Sequence, residues 1–239
     1  GMHILTLRKL LVSLGQIMAY AVRHRYISYN PVKDVEKPKG QGRGEKKKIR
    51  VLTPSEINAL LEAESNLKYK TLFRLAIFSG ARQGELLGLK WSDIDWTDSQ
   101  IHIQRTFNHQ SWFDVKTETS NRKIDIGPAM MTELKKWRLA CPKTNLGLIF
   151  PNESGNPINH NNMVNRYFNP ALKAAKLPTI RFHDLRHTYA SLLIEQGENI
   201  KYIQSQLGHS SPTVTLNVYA HLMKPTNQAA AIRLENAIF

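Results

Sequence analysis

The chain has 239 residues, 41% of them apolar and 22% charged, an ordinary balance for a soluble globular protein able to bury a sizeable core. Its charge is less ordinary: 33 Lys and Arg stand against 19 Asp and Glu, a formal net charge of +14, which points to a polyanionic partner, nucleic acid first. The single cysteine, Cys141, excludes an internal disulfide, and no apolar run reaches the roughly 20 residues that span a bilayer.

A reducing, cytoplasmic setting is therefore expected. The basic residues are not gathered on one amphipathic helix, so a membrane surface is not the expected partner. No secretory signal pattern is seen at the N-terminus, and Gly1 ahead of Met2 reads as a remnant of tag removal.

In chain order, Leu7, Leu10, Leu11, Leu14, Ile17, Met18, Ala21 and Val22 fall at helical spacing, which predicts an amphipathic helix over 5–27 that Asn30-Pro31 ends. Residues 37–50 carry seven basic side chains, one acid, three glycines and a proline, the composition of a flexible basic linker. Its basic residues Lys39, Arg43, Lys46, Lys47, Lys48 and Arg50 are candidate contacts to a phosphate backbone; a solvated connector is the plainer reading.

A compact domain starts at Val51. Thr53-Pro54-Ser55-Glu56 is a capping box that opens a helix to about Ala63. A second, apolar helix over 69–79 should stop at Gly80, and Arg82 to Leu89 read as a third, short one. Alternation in Ile101-His102-Ile103-Gln104-Arg105-Thr106-Phe107, then in Trp112 to Val115 and Lys123 to Ile126, predicts a small antiparallel meander over 100–126. Pro128 starts a helix to about Leu139, and Leu148-Ile149-Phe150 is a short strand or extended segment. Helices follow over about 160–175, 183–196, 199–207, 212–220 and 226–237. The expected class is α+β, mostly α-helical with a small antiparallel β-sheet.

Several polar residues on the predicted turns could serve phosphoryl transfer. His183 and Arg186 are three apart at a helix start and share a face, where the helix end itself favours an anion. Alone, His-x-x-Arg is a weak signal, and a surface helix capped by Asp184 explains it as well. Arg82 follows the Gly80 stop, with Glu85 one turn later able to hold its guanidinium in a plane; a surface ion pair is the plain alternative. His209 follows Gly208 at a helix stop, and Tyr219 ends the helix that Pro212 begins. A phenol with an ordinary pKa near 10 needs cations or a base to attack, and a lone tyrosine there is more often packing.

Together these residues resemble the catalytic domain of the tyrosine recombinases, the phage integrase family. The family's Gly-x-Arg-x-x-Glu-Leu turn is matched by Gly80 to Leu86, with Arg82 and Glu85 in place. Its hairpin lysine, in Lys-Thr-x-x-Ser-x-Arg-x-Ile, is matched by Lys116 to Ile124. His-x-x-Arg is matched by His183 and Arg186, Leu-Gly-His by Leu207 to His209, and the tyrosine ten residues beyond by Tyr219. The resemblance covers about 50–225. It implies a DNA strand-breaking and rejoining enzyme that uses no cofactor or metal. Tyr219 would be the nucleophile, forming a 3′-phosphotyrosyl bond. Arg82, Arg186 and His209 would hold the phosphate, His183 would be the base, and Lys116 would protonate the leaving 5′-oxygen. Glu85 would support Arg82, while Asp184 and His187 read as supporting residues with a structural role. The implied partner is a double-stranded recombination site, bound as a tetramer by a protein that is monomeric without it.

The same resemblance divides the chain into 1–36, the last helix of a truncated core-binding domain, 37–50, the linker, and 51–239, the catalytic domain with a C-terminal tail helix. Three rivals stay open on the sequence. His183 and His187 have zinc-ligand spacing, but Asp184 stands where a zinc hydrolase motif needs Glu. A DNA-binding module without chemistry and a topoisomerase would share the charge and most of the motifs.

Overall fold

The computed structural model describes residues 2, 4–36, 38, 50–114, 120–219 and 228–238. Lys116 and the linker residues Lys39, Arg43, Lys46, Lys47 and Lys48 lie outside the described residues. The chain divides into two compact units, Gly1–Lys48 and Ile49–Phe239.

In the first unit α1 (Ile4–Arg23) stops short of the expected end at residue 27, and Arg25 just beyond it takes a positive φ of 60°. Asn30 then does two jobs. Its side-chain oxygen accepts from the Val32 N–H to cap a single turn, Pro31–Lys33, and its amide donates to the Gly15 carbonyl at 3.0 Å, tying the returning chain to α1. The periodic apolar residues Leu10, Leu14 and Ile17 are exposed.

The second unit begins with α2 (Pro54–Ala63), whose Thr53–Glu56 capping box forms as the sequence predicts. α3 (Leu67–Ser79) is the central helix: Leu72, Phe73, Leu75 and Ile77 are almost fully buried. Phe73 meets Phe168 edge-on at 5.3 Å, and Phe168 meets Phe182 likewise, an arrangement the aromatic quadrupole favours. Gly80 ends α3 in the left-handed region at φ 57°. It also has no room for a side chain, since a Cβ there would run into the ring of Tyr189. α4 (Gln83–Leu87) follows directly.

The β region differs from the expected meander. β1 (Ile94–Asp95), β2 (Gln100–Ile103) and β5 (Arg122–Asp125) form one antiparallel sheet in the order β1-β2-β5, with Ile101 opposite Ile124. β3 (Arg105–Asn108) and β4 (Ser111–Asp114) pair only with each other. The physical reason is burial. β2 and β5 turn Ile101, Ile103 and Ile124 into the core, whereas all four residues of β4 are exposed and supply no inward row. The hairpin is held by Phe107 against Trp112, 5.1 Å apart, and it lies against α4, where Thr106 and Asn108 leave no space for a Cβ at Gly84. Over Leu148 to Phe150, expected as a short strand or extended segment, Leu148 forms an isolated bridge to Lys90.

α5 (Pro128–Ala140) packs on α3, and Trp137 donates its indole N–H to the Ile149 carbonyl. The long helix expected over 160–175 is present in three pieces: α6 (His160–Met163), a π-helical turn (Val164–Phe168) and α7 (Asn169–Ala174). α8 (Asp184–Glu195), α9 (Ile200–Leu207) and α10 (Pro212–Tyr219) follow, and α11 (Gln228–Ile238) is the last described element. α8 packs against α3. Tyr189, Ala190 and Ile194 of α8 form a second small core with Ile203, Leu207 and Tyr219. That small core sets α10 against α8 and α9. Among the described residues no helix is long and apolar enough to cross a membrane.

Candidate active site

The site forms where three chain reversals meet: the α3–α4 turn, the start of α8 and the α9–α10 turn. Two of them rest on left-handed glycines, Gly80 and Gly208, each closing a helix and freeing backbone carbonyls that point into the cluster.

Arg82 is the first residue after the Gly80-Ala81 reversal. Its backbone N–H donates to Glu85 Oε2 at 2.7 Å, its Nη1 to Glu85 Oε1 at 2.9 Å, and its Nη2 to the Gly208 carbonyl at 2.9 Å. The side chain keeps 38% of its surface open, so part of its fork is available to a ligand. It looks into a cleft of about 480 Å³ whose wall includes Gln83, Thr106, Asn108, Ser120 and His183.

Arg186 comes from the first turn of α8 and is buried. Nη1 donates to the Gly80 carbonyl at 2.7 Å and Nη2 to the Leu207 carbonyl at 2.6 Å. Burial first, then the charge of Arg82, pull its pKa below the ordinary arginine value. The guanidinium stays charged, so the cluster is electrostatically short of an anion.

Tyr219, on the last turn of α10, is 2% exposed, and its hydroxyl sits 2.6 Å from His187 Nδ1. Burial raises the phenol pKa to about 12, against the pull of Arg186. Burial lowers the His187 pKa to about 4, helped by the neighbouring His183. His187 is thus a neutral imidazole able to accept from the phenol. The resemblance gives the role of base to His183, yet it is His187, one turn further along α8, that touches the hydroxyl. His183 stands at the mouth of α8 on the cleft wall, its ring edge-to-face with that of His187 at 5.2 Å. The spacing of four residues on a helix carried the signal for His187, but only the docking of α10 shows which histidine meets the tyrosine.

His209 follows Gly208, and its Nδ1 bonds Thr215 Oγ1 at 2.9 Å, which leaves Nε2 as the free edge of the ring. Burial and the charges of Arg186, Arg82 and Arg122 hold its pKa near 4. Asp184 is occupied by Arg181, which gives it a backbone and a side-chain bond. Arg50, described at the edge of the linker, pairs with Glu56 on the surface. Among the described residues no three His, Cys, Asp or Glu side chains converge on a common point.

A model of the phage integrase family matches residues 50–225, which contain every one of these side chains. The chain belongs to the phage integrase family. It carries a tyrosine recombinase catalytic domain, of the kind that cleaves and rejoins DNA strands. A tyrosine recombinase XerC-like protein of Caldanaerobacter subterraneus subsp. tengcongensis is 31% identical over 98% of this chain and 66% of its own length. The ICEBs1 integrase of Bacillus subtilis is 26% identical over 100% of this chain and 67% of its own. The chain thus spans about two thirds of these curated relatives. Among solved structures, the Tn1549 transposon integrase in complex with transposon right end DNA superposes with a TM-score of 0.77 at 22% identity. That match covers 100% of this chain and 81% of the other. The XerA recombinase superposes at 0.62 and 21% identity, covering 91% and 78%. These likenesses share the α+β fold described above.

Proposed function

We propose that this chain is the catalytic part of a site-specific recombinase that integrates or excises a mobile element through a 3′-phosphotyrosyl intermediate. The observation that carries the reading is the Tyr219 hydroxyl, held by a neutral histidine within the field of a buried arginine that, among the described residues, pairs with backbone carbonyls and no carboxylate. Tyr219 Oη attacks the scissile phosphorus, and the bond to the 5′-oxygen breaks in line. Arg82 and Arg186 hold the non-bridging oxygens as charge gathers on them, and His209 adds a hydrogen bond from its open edge. His187 takes the phenolic proton once the anionic phosphate has offset the burial and positive field that lower its basicity, while His183 faces the bound strand from the cleft wall. Lys116 supplies the proton that leaves with the 5′-hydroxyl. The phosphotyrosyl bond conserves the phosphodiester energy, so a 5′-hydroxyl of a partner strand can reverse the step without a nucleotide, metal or other cofactor.

The partner in this reading is a duplex recombination site in the cytoplasm, engaged by a tetramer that assembles on DNA from monomers. The net charge of +14 and the basic run Lys39, Arg43, Lys46, Lys47, Lys48 and Arg50 support backbone contacts by the linker. Residues 1–36 are the end of a core-binding domain, 37–50 the linker and 51–239 the catalytic domain. The test is covalent capture on nicked duplexes, randomised around the break. The chain should yield a denaturant-resistant adduct that maps to Tyr219. Tyr219→Phe should bind DNA with unchanged affinity and give no adduct. An adduct at the same strength from that variant overturns the reading.

A further inference from the structure

Arg122, the first residue of β5, is an arginine that the reaction above does not use. It is 6% exposed at its side chain and therefore cannot reach a substrate. Its Nη1 and Nη2 each donate to one oxygen of Glu85 at 2.9 Å, a parallel bidentate pair. Its Nε donates to the Gln206 carbonyl at 2.7 Å.

Two things follow from that geometry. A carboxylate offers about four acceptor sites, and Glu85 has all of them filled: two by Arg122 and two by Arg82. The Glu85 plane is therefore set by the Arg122 fork, and Arg82 is set by Glu85. Moreover, Gln206, Leu207 and Gly208 are successive residues at the end of α9, and their carbonyls accept from Arg122, Arg186 and Arg82 in that order. Carbonyls at a helix C-terminus have no intrahelical partner and carry partial negative charge. One helix end thus aligns three guanidinium groups, and the next residue is His209. Glu85 cancels one of the three charges.

We propose that Arg122 is a positioning residue for phosphoryl transfer. It fixes Arg82 through Glu85 and anchors the α9 end from which Arg82, Arg186 and His209 are all placed. The proposal rests on the recombinase reading, and lysine cannot replace Arg122, because a point charge offers no parallel fork and cannot also reach Gln206.

The test is single-turnover cleavage of nicked duplexes selected by adduct formation, with DNA affinity and melting temperature measured in parallel. Arg122→Lys should cleave about 10- to 100-fold more slowly with DNA affinity unchanged. In an Arg82→Ala background the same change should cost clearly less than in the wild type, because part of the effect of Arg122 runs through Arg82 and the rest through the α9 end. Equal fold-losses in both backgrounds, or wild-type cleavage by Arg122→Lys, overturn the proposal. Should Arg122→Lys fold poorly, Glu85→Leu with Arg122→Met separates folding from positioning. Apolar replacement removes both buried charges together, which costs less than stranding one of them, although the Gln206 carbonyl and the Arg82 N–H lose their partners. That double variant should melt below the wild type but still unfold cooperatively, and cleave far more slowly at a temperature where it is folded; wild-type cleavage from it overturns the proposal. An unaltered chain that forms no Tyr219 adduct sinks the recombinase reading itself. A Tyr219-dependent adduct with Arg122 variants as fast as wild type sinks only this inference.

Discussion

The α1 unit and the arginine cluster spend their side chains in opposite ways. Along α1 the apolar positions Leu10, Leu14 and Ile17 are regular, strongly helical and exposed. In the cluster the charged residues Glu85, Arg122 and Arg186 are buried, and each has its partners within hydrogen-bonding distance. Hydrophobic burial is non-directional and scales with area, so an exposed position such as Leu10 can lose a methyl group at little cost. Buried charge tolerates no such freedom: one missing partner leaves an uncompensated ion or an orphaned carbonyl. The proposed chemistry draws on the second kind of region, because a pre-set polar array stabilises developing charge without reorganising.

The contrast can be pressed first at its charged end. Arg186→Ala should slow adduct formation by about 10²–10³-fold. It should also lower the melting temperature, because the buried Gly80 and Leu207 carbonyls lose their donor. Cleavage kinetics and a thermal melt on the same preparation check both. His187→Phe should come next, with a cleavage loss on the order of 10²-fold and DNA affinity unchanged. A loss confined to His183→Phe instead would return the base role to that residue.

A smaller effect is pH-dependent. His187 and His209 have folded pKa values of about 4, against 6.5 for a free imidazole. Between those values the unfolded chain binds more protons, so stability rises with pH. Their contribution is fully present above about pH 6.5 and is lost as pH falls through 4. Melting temperatures from pH 4 to 7 should show that slope, and His209→Gln should flatten it. The smallest effect belongs to α1: Leu10→Ser, at an exposed position, should change the unfolding free energy by no more than about 0.5 kcal/mol. A larger loss in a denaturant titration would mean that the stripe is covered in solution.

Much of this was legible in the residues. The capping box at Thr53, the stops at Gly80 and Gly208 and the helix start at Pro128 are local chemistry, and they formed where the sequence puts them. The site motifs Arg82, His183, Arg186, His209 and Tyr219 were legible as types at spacings. Other features were not legible, because they depend on which surfaces meet. Alternation over 100–126 marked strands but could not say that β2 would pair with β5 and leave β3 and β4 as a separate hairpin. Nothing in His-x-x-Arg-His ranks one histidine above the other until α10 docks and brings Tyr219 to His187.

The sequence by itself determined most helices, their caps, the excess of positive charge and the motifs that carry the candidate side chains, since each depends on composition or on residues a few positions apart. Only the tertiary structure decided how those side chains are used. Glu85 and Arg122 are 37 positions apart, and Arg82 and Gly208 are 126 apart. Contacts across such separations follow from the packing of α3, α8, α9 and β5, not from any local pattern. One helix end, that of α9, turns three scattered arginines into a single array.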